Sequence, residues 1–323
     1  MFLIIEEAVG TLYQIKLLNT RTGEYATVLP DFGGNLNDLV LARANGSLLS
    51  VIAGYRTTPE AQQNVGYLSS KLIPFPNRLR DGAYTLDDTH YQLPITRPQE
   101  GHAIHGLWHS TPYKVTKIKA NDQKAVVCLE LQYKGTEAGY PFSCRVQLKY
   151  KLTDSGLRCT TEVTNTGKNK MPFGDGWHPY FKLDSETIDD LEMTVPPVRF
   201  LATNNRSVPT GEMVSFLDFF QGASLDSTKL DHGFKLLQNN GKASTILRNP
   251  LTNTALEIWQ EAGEGEYDYL QIYTPNDRKT IAIEPMTCAA DAFNNGLGTI
   301  VIPPKGSWKS KYGVGMYVKN EEN

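Results

Sequence analysis

Apolar and polar residues alternate with a two-residue period along much of this chain. Cys144, Val146, Leu148, Tyr150 and Leu152 interleave with Arg145, Gln147, Lys149 and Lys151, which places apolar side chains on one face of an extended strand. Thr153-Asp154-Ser155-Gly156 then supplies turn chemistry, and alternation resumes through Leu157, Cys159, Thr161 and Val163. The segment predicts an antiparallel hairpin with one wet face. Val127, Leu129, Leu131 and Tyr133 repeat the pattern, as do Trp308, Tyr312, Val314, Met316 and Val318 near the C-terminus. The opening apolar run ends in Glu6-Glu7 without a basic leader or a small-residue cleavage site, so it reads as an edge strand.

Helical periodicity is scarce. Thr58-Pro59-Glu60 resembles a helix start, and Gly66 predicts an early end to any helix within residues 58–70. Short strands punctuated by Asn, Gly, Asp and Pro run from end to end, with no repeat and no compositional break. The expectation is an all-β fold in one domain over residues 1–323, either a large antiparallel β-sandwich or a closed barrel. A single open sheet of that size would leave too much apolar face exposed.

Composition narrows the partners. The chain has 323 residues and a formal net charge of -3, which carries no basic footprint for nucleic acid. Every long apolar segment is interrupted before the roughly 18 residues a membrane helix requires. We expect a cytoplasmic protein with a small-molecule ligand and neither nucleic-acid nor membrane partners; the oligomeric state is open. Cys128, Cys144, Cys159 and Cys288 lack the close pairing of a zinc site and read as buried free thiols.

Three polar constellations carry chemistry. Gly174-Asp175-Gly176-Trp177-His178-Pro179-Tyr180-Phe181 sets an imidazole among glycines and aromatic rings, where it reads either as a ligand-facing group or as one satisfied by a buried hydrogen bond. His102, His105 and His109 have a spacing that invites a metal, but residues three and four apart do not share a strand face, and the flanking glycines disfavour a helix. His105 is the better ligand-facing imidazole, with His102 and His109 nearer the surface and no metal expected. Glu284 ends the apolar run Thr280-Ile281-Ala282-Ile283, where a carboxylate serves as a general base or caps a turn. Asn77-Arg78 and Asp231-His232-Gly233-Phe234 add further polar groups at strand ends.

Taken in order, Asn77-Arg78 with Asp81-Gly82, His105-Gly106, His178-Pro179-Tyr180-Phe181, Asp231-His232-Gly233-Phe234, Tyr273-Thr274, and Glu284 with Asp291-Ala292-Phe293-Asn294 resemble the aldose 1-epimerase, or galactose mutarotase, family over nearly the whole chain. The resemblance implies a large twisted β-sandwich whose open cleft lies on one sheet. It implies interconversion of the α and β anomers of a free aldohexose of the glucose or galactose class, without metal or cofactor. By the same resemblance Glu284 is the base, His178 the acid and His105 a second imidazole near the ring oxygen. Arg78, Asn77 and Asp231 would grip hydroxyls, and Trp177 or Tyr273 would line the cleft. The expected geometry has His178 and Glu284 on opposite sides of a sugar-sized cleft. Gly106 is followed here by Leu107-Trp108, whose bulk is expected to reshape the pocket floor. A phosphorylated hexose as substrate, or sugar binding without catalysis, are the alternatives.

Overall fold

The alternating segment forms the antiparallel pair Cys144–Thr153 and Gly156–Asn165, with Tyr150 opposite Cys159 and Leu148 opposite Thr161. Its apolar residues are buried and its Arg, Gln and Lys residues face outward, as the two-residue period requires. The computed structural model describes residues 1–317, so Val318 lies outside the described residues. The hairpin sits inside a nine-stranded antiparallel sheet. Ala125–Tyr133 flanks it on one side and Ser307–Met316 on the other. The three segments singled out by alternation are thus direct neighbours.

A six-stranded sheet runs in the order Tyr180–Phe181, Ile281–Met286, Tyr269–Tyr273, Asp231–Leu236, Val198–Thr203 and Pro209–Ser215. Ile281, Ile283, Leu270, Ile272 and Phe234 project from one face into the same hydrophobic cluster as Leu148, Tyr150, Val163 and Tyr312 of the nine-stranded sheet. Two sheets packed on one core give the β-sandwich, and the opposite face of the smaller sheet is free to build a site. The N-terminal strand Phe2–Val9 is the edge of a separate five-stranded sheet.

One helix falls where expected. Thr58–Gln63 is capped by the Thr57 side chain, which accepts from the Glu60 amide, and it ends at Asn64 in the left-handed region. Among the described residues no helix is long and apolar enough to cross a membrane. All four cysteines are free; Cys144, Cys159 and Cys288 are buried, while Cys128 is half-buried because it sits on the outer face of its strand.

One charged pair lies inside the sandwich. Lys71 Nζ is 2.7 Å from Asp175 Oδ1, both side chains are at most 1% exposed, and the Tyr267 hydroxyl donates to Asp175 at 2.5 Å. Two buried charges hold each other and a phenol, so neither is left uncompensated.

Candidate active site

The cleft is laid out by register in the six-stranded sheet. Glu284 lies opposite Gln271, and Gln271 opposite Gly233, forming one row across three strands. The next row runs from Tyr180 through Ala282 and Tyr273 to Asp231. Side chains on alternate positions share a face, so Glu284, Gln271, Tyr273, Tyr180 and Asp231 converge on the side away from the core. Gly233 keeps the row open: a Cβ there would stand 3.2 Å from Gln271 Oε1.

The facing wall comes from Asn77, Arg78 and His105. Asn77 and His105 both adopt left-handed backbone, with φ of 57° and 63°. They lock together: the His105 amide donates to the Asn77 carbonyl at 2.9 Å, and the Asn77 amide donates to His105 Nδ1 at 3.3 Å. Because Nδ1 accepts, the neutral ring carries its proton on Nε2 and remains a donor. Arg78 Nε donates to Glu100 at 2.7 Å, and its terminal nitrogen stands 3.9 Å from Asp231. Asn77 Nδ2 donates to Gln271 Oε1 at 3.2 Å, and Gln271 Nε2 donates to Asp231 Oδ1 at 2.8 Å, so the two walls are joined through one amide.

Together these residues enclose a cavity of about 300 Å³, to which Gly66, Tyr67, Arg97 and His178 also contribute. His178 Nε2 is 3.4 Å from Glu284 Oε1, and both side chains are less than a tenth exposed. His178 Nδ1 and Glu284 Oε2 have no hydrogen-bond partner in the protein. Burial pushes the Glu284 carboxyl well above the ordinary carboxylate range; Asp231 adds to the rise and Arg78 opposes it. Burial pulls His178 down to about 4. His105 is also well below its ordinary value, through burial and then the neighbouring His178. Both shifts favour a proton on the carboxyl over one on the imidazole, and transfer of a proton across the 3.4 Å separation would convert that neutral pair to carboxylate and imidazolium.

Of the residues singled out in the sequence, Glu284, His178, His105, Arg78, Asn77, Asp231 and Tyr273 all line this cavity. Trp177 does not. It is 1% exposed, stacks on Tyr312 at 4.8 Å and donates its indole N–H to the Ser69 carbonyl. Neighbouring residues of a strand point to opposite faces, so a cleft-facing His178 sends Trp177 inward. His178 and Glu284 are not on opposite sides of the cleft but adjacent on its floor. The glycines flanking Asp175 make room for the protein itself: a Cβ on Gly174 would stand 2.5 Å from Cys288 Sγ, and one on Gly176 would stand 2.7 Å from Pro76 Cβ.

The histidine segment separates as its spacing suggested. His105 enters the cleft, while His109 Nδ1 meets the Asn64 amide at 2.9 Å. His102, expected nearer the surface, is fully buried, where it accepts from the Asp81 amide. Leu107 and Trp108 are absent from the cavity lining; Trp108 is buried against Tyr133 and Tyr140. Tyr67, Arg97, Glu100, Tyr180 and Gln271 complete the cleft without having been singled out. Two of them carried a readable signal, since Tyr180 is two residues from His178 and Gln271 two from Tyr273. The Tyr180 ring stacks on His178 at 4.9 Å. Tyr67 ends the short 3-10 turn Val65–Tyr67, and Arg97 and Glu100 come from a loop; periodicity says nothing about any of the three.

Comparison with known proteins agrees with this architecture. The chain is 29% identical over 245 residues to an uncharacterised Escherichia coli protein, YihR, covering 74% of this chain and 75% of that one. It is 24% identical over 181 residues to the aldose 1-epimerase of E. coli, of which it spans about half, 51%. The crystal structure of a galactose mutarotase-like protein from Clostridium acetobutylicum superposes with a TM-score of 0.86 over 98% of each chain at 23% identity, a likeness of fold. The aldose 1-epimerase family model matches residues 16–315, and this chain belongs to that family.

Proposed function

We propose that the protein is an aldose 1-epimerase that exchanges the α and β anomers of a free aldohexose of the glucose or galactose class. The observation that carries this reading is the buried Glu284–His178 pair, at 3.4 Å, in a cavity lined by Arg78, Asn77, Asp231 and Gln271, whose polar groups suit sugar hydroxyls. Anomer exchange removes a proton from the C1 hydroxyl and delivers one to the ring oxygen. Both oxygens are bonded to the same carbon, so acid and base must be neighbours. That requirement accounts for their adjacency.

In the reactive tautomer, the Glu284 carboxylate takes the proton from the C1 hydroxyl as the bond from C1 to the ring oxygen breaks. His178 Nε2 gives its proton to that oxygen. The open-chain aldehyde turns about its C1–C2 bond and the freed hydroxyl attacks the other face. His178 then recovers the proton and Glu284 returns one to C1 oxygen. The pair ends each half-cycle in the opposite tautomer, so a shared proton serves both directions. His105, donating from Nε2, stabilises negative charge developing on the ring oxygen. Arg78 and Asp231 orient hydroxyls with fixed donors and acceptors.

The test is exchange NMR of α-glucose and α-galactose with purified protein. Exchange faster than buffer, lost in Glu284→Gln, is expected; no acceleration for any aldose would refute the activity. Calorimetric sugar binding without exchange would instead make the chain a carbohydrate-binding protein. Arg97, exposed at the rim and in no ion pair among the described residues, favours a second reading in which the sugar bears a phosphate. Preference for glucose 6-phosphate over glucose in the same assay would establish that reading.

A further inference from the structure

The outer face of the nine-stranded sheet treats its cations in two ways. Toward the middle and far edge three meet a carboxylate, Lys309 with Glu162 at 2.8 Å, Lys311 with Glu261 at 3.1 Å and Arg248 with Glu192 at 3.3 Å, and Lys242 lies over the Trp259 ring at 4.4 Å. At the other end, Lys117, Lys119, Lys124, Lys149, Lys151 and Arg158 surround a recess of about 260 Å³ whose remaining lining is Val126 and Cys128. None of these six forms an ion pair with a described carboxylate.

Register explains the concavity. Lys117 lies opposite Cys128, which lies opposite Lys149; in the next row Lys119 lies opposite Val126, Val126 opposite Lys151 and Lys151 opposite Arg158. Two short side chains form the floor of the central strand, with longer cationic ones on the strands to either side. Four strands at roughly 4.8 Å spacing make the ring about 14 Å across. Of the carboxylates on the same strands and turns, Asp154 pairs with Arg21 at 2.5 Å and Glu130 accepts from Gln132 and Gln147, while Asp122, in the turn before Lys124, forms no ion pair among the described residues. Lys151 and Arg158 also line an adjoining broader groove together with Glu24, Asp154, Glu257 and Glu261, where the wholly cationic lining ends.

Like charges held this close repel one another, and a multivalent anion relieves that repulsion. The cost is visible at Lys151, whose ammonium is pulled below its ordinary range by burial and then by Arg158, Lys124 and Lys149. In a chain of net charge -3 the concentration is local and is not the overspill of a basic protein.

We propose that this recess is a second binding site, distinct from the cleft, for a compact polyphosphate: inorganic tripolyphosphate or the triphosphate of a nucleotide. Several linked phosphates offer acceptor oxygens to lysines on more than one strand at once. A concave ring of bounded width suits such an anion better than a flat lipid surface or a long nucleic-acid backbone.

The experiment is calorimetric titration of the full chain at low ionic strength with tripolyphosphate, ATP and AMP. One tripolyphosphate or ATP per chain is expected, with AMP much weaker and affinity falling as salt rises. Lys149→Gln and Lys151→Gln should each weaken binding about tenfold, a loss of about 1.4 kcal/mol. Lys311→Gln on the same sheet and Arg97→Gln at the cleft rim should leave it unchanged. Equal affinity for tripolyphosphate and ATP identifies the phosphate chain as the feature recognised; tighter ATP identifies a nucleotide; both uphold the site. No binding at about 1 mM ligand, or loss on Arg97→Gln instead of Lys149→Gln, overturns it. So does tighter binding of a single-stranded RNA or of phosphatidylserine vesicles than of tripolyphosphate at the same salt.

Discussion

Glu284 and His178 are displaced in opposite directions from their ordinary proton affinities, and each shift has a testable sign. The carboxyl is raised well above 4.5 by burial and the imidazole is lowered to about 4, so both shifts disfavour the charged forms. The acid limb of kcat/KM for anomer exchange should lie well below the ordinary histidine value of 6.5, toward about 4; an acid limb centred near 6.5 would contradict the pairing. Glu284→Gln should lower kcat by roughly a hundredfold or more while the protein stays folded, checked by exchange NMR and circular dichroism. Stability should move the other way. A raised carboxyl binds more protons in the folded state, so its contribution is full below 4.5 and is lost as pH rises through the folded value. His178 contributes stability above its ordinary value of 6.5 that is lost as pH falls toward about 4. Relative to the unmodified protein, Glu284→Gln should therefore melt higher at pH 8, with the gap closing as pH falls to 4.5. Thermal denaturation at the two pH values checks this.

Strand periodicity explains both the successes and the errors of reading the site from sequence. Glu284 follows the legible apolar run over residues 280–283, but the strand continues to Met286, so the carboxylate stands within it and not at its end; Tyr273 and Asp231 lie on strands that alternation does not single out. Trp177 faces the core and not the cleft, because it is adjacent to the cleft-facing His178 and neighbouring strand residues point opposite ways. Gln271 was overlooked since an amide has no titratable signature, yet it joins Asn77 to Asp231 across the cleft. Its position depends on the bare backbone of Gly233, whose φ is not in the left-handed region. Gly233→Ala should thus cost little in backbone strain but displace the Gln271 amide, raising KM several-fold with kcat and melting temperature nearly unchanged. Steady-state kinetics over sugar concentration, with a melting curve, tests this; an unchanged KM would show that the amide does not position the substrate.

The same sandwich core that carries the cleft encloses the Lys71–Asp175 pair, which ties two segments adjacent to the acid and the base. Lys71 pairs by backbone with Trp177, next to His178, and the Asp175 carbonyl accepts from Thr287, three residues past Glu284. Lys71→Met should destabilise the fold by roughly 3–5 kcal/mol, because it leaves a buried carboxylate unpaired, whereas removing both charges with apolar residues should recover much of the loss. Melting of the single and double variants tests this. The hydrophobic cluster spans both large sheets, so unfolding is expected to be one cooperative transition by calorimetry, as one domain requires. Two-residue alternation by itself determined the all-β class, the central hairpin and which side chains face water, because strand geometry imposes that period locally. Ordered motifs determined the family and most of the polar residues. What only the tertiary structure decided is who stands beside whom: Glu284 against His178, Gln271 between two walls, Tyr67, Arg97 and Glu100 in the cleft lining, and six cations around one recess. The cleft adjacencies join segments far apart in the chain, and the recess depends on the register of four successive strands; no local period records either.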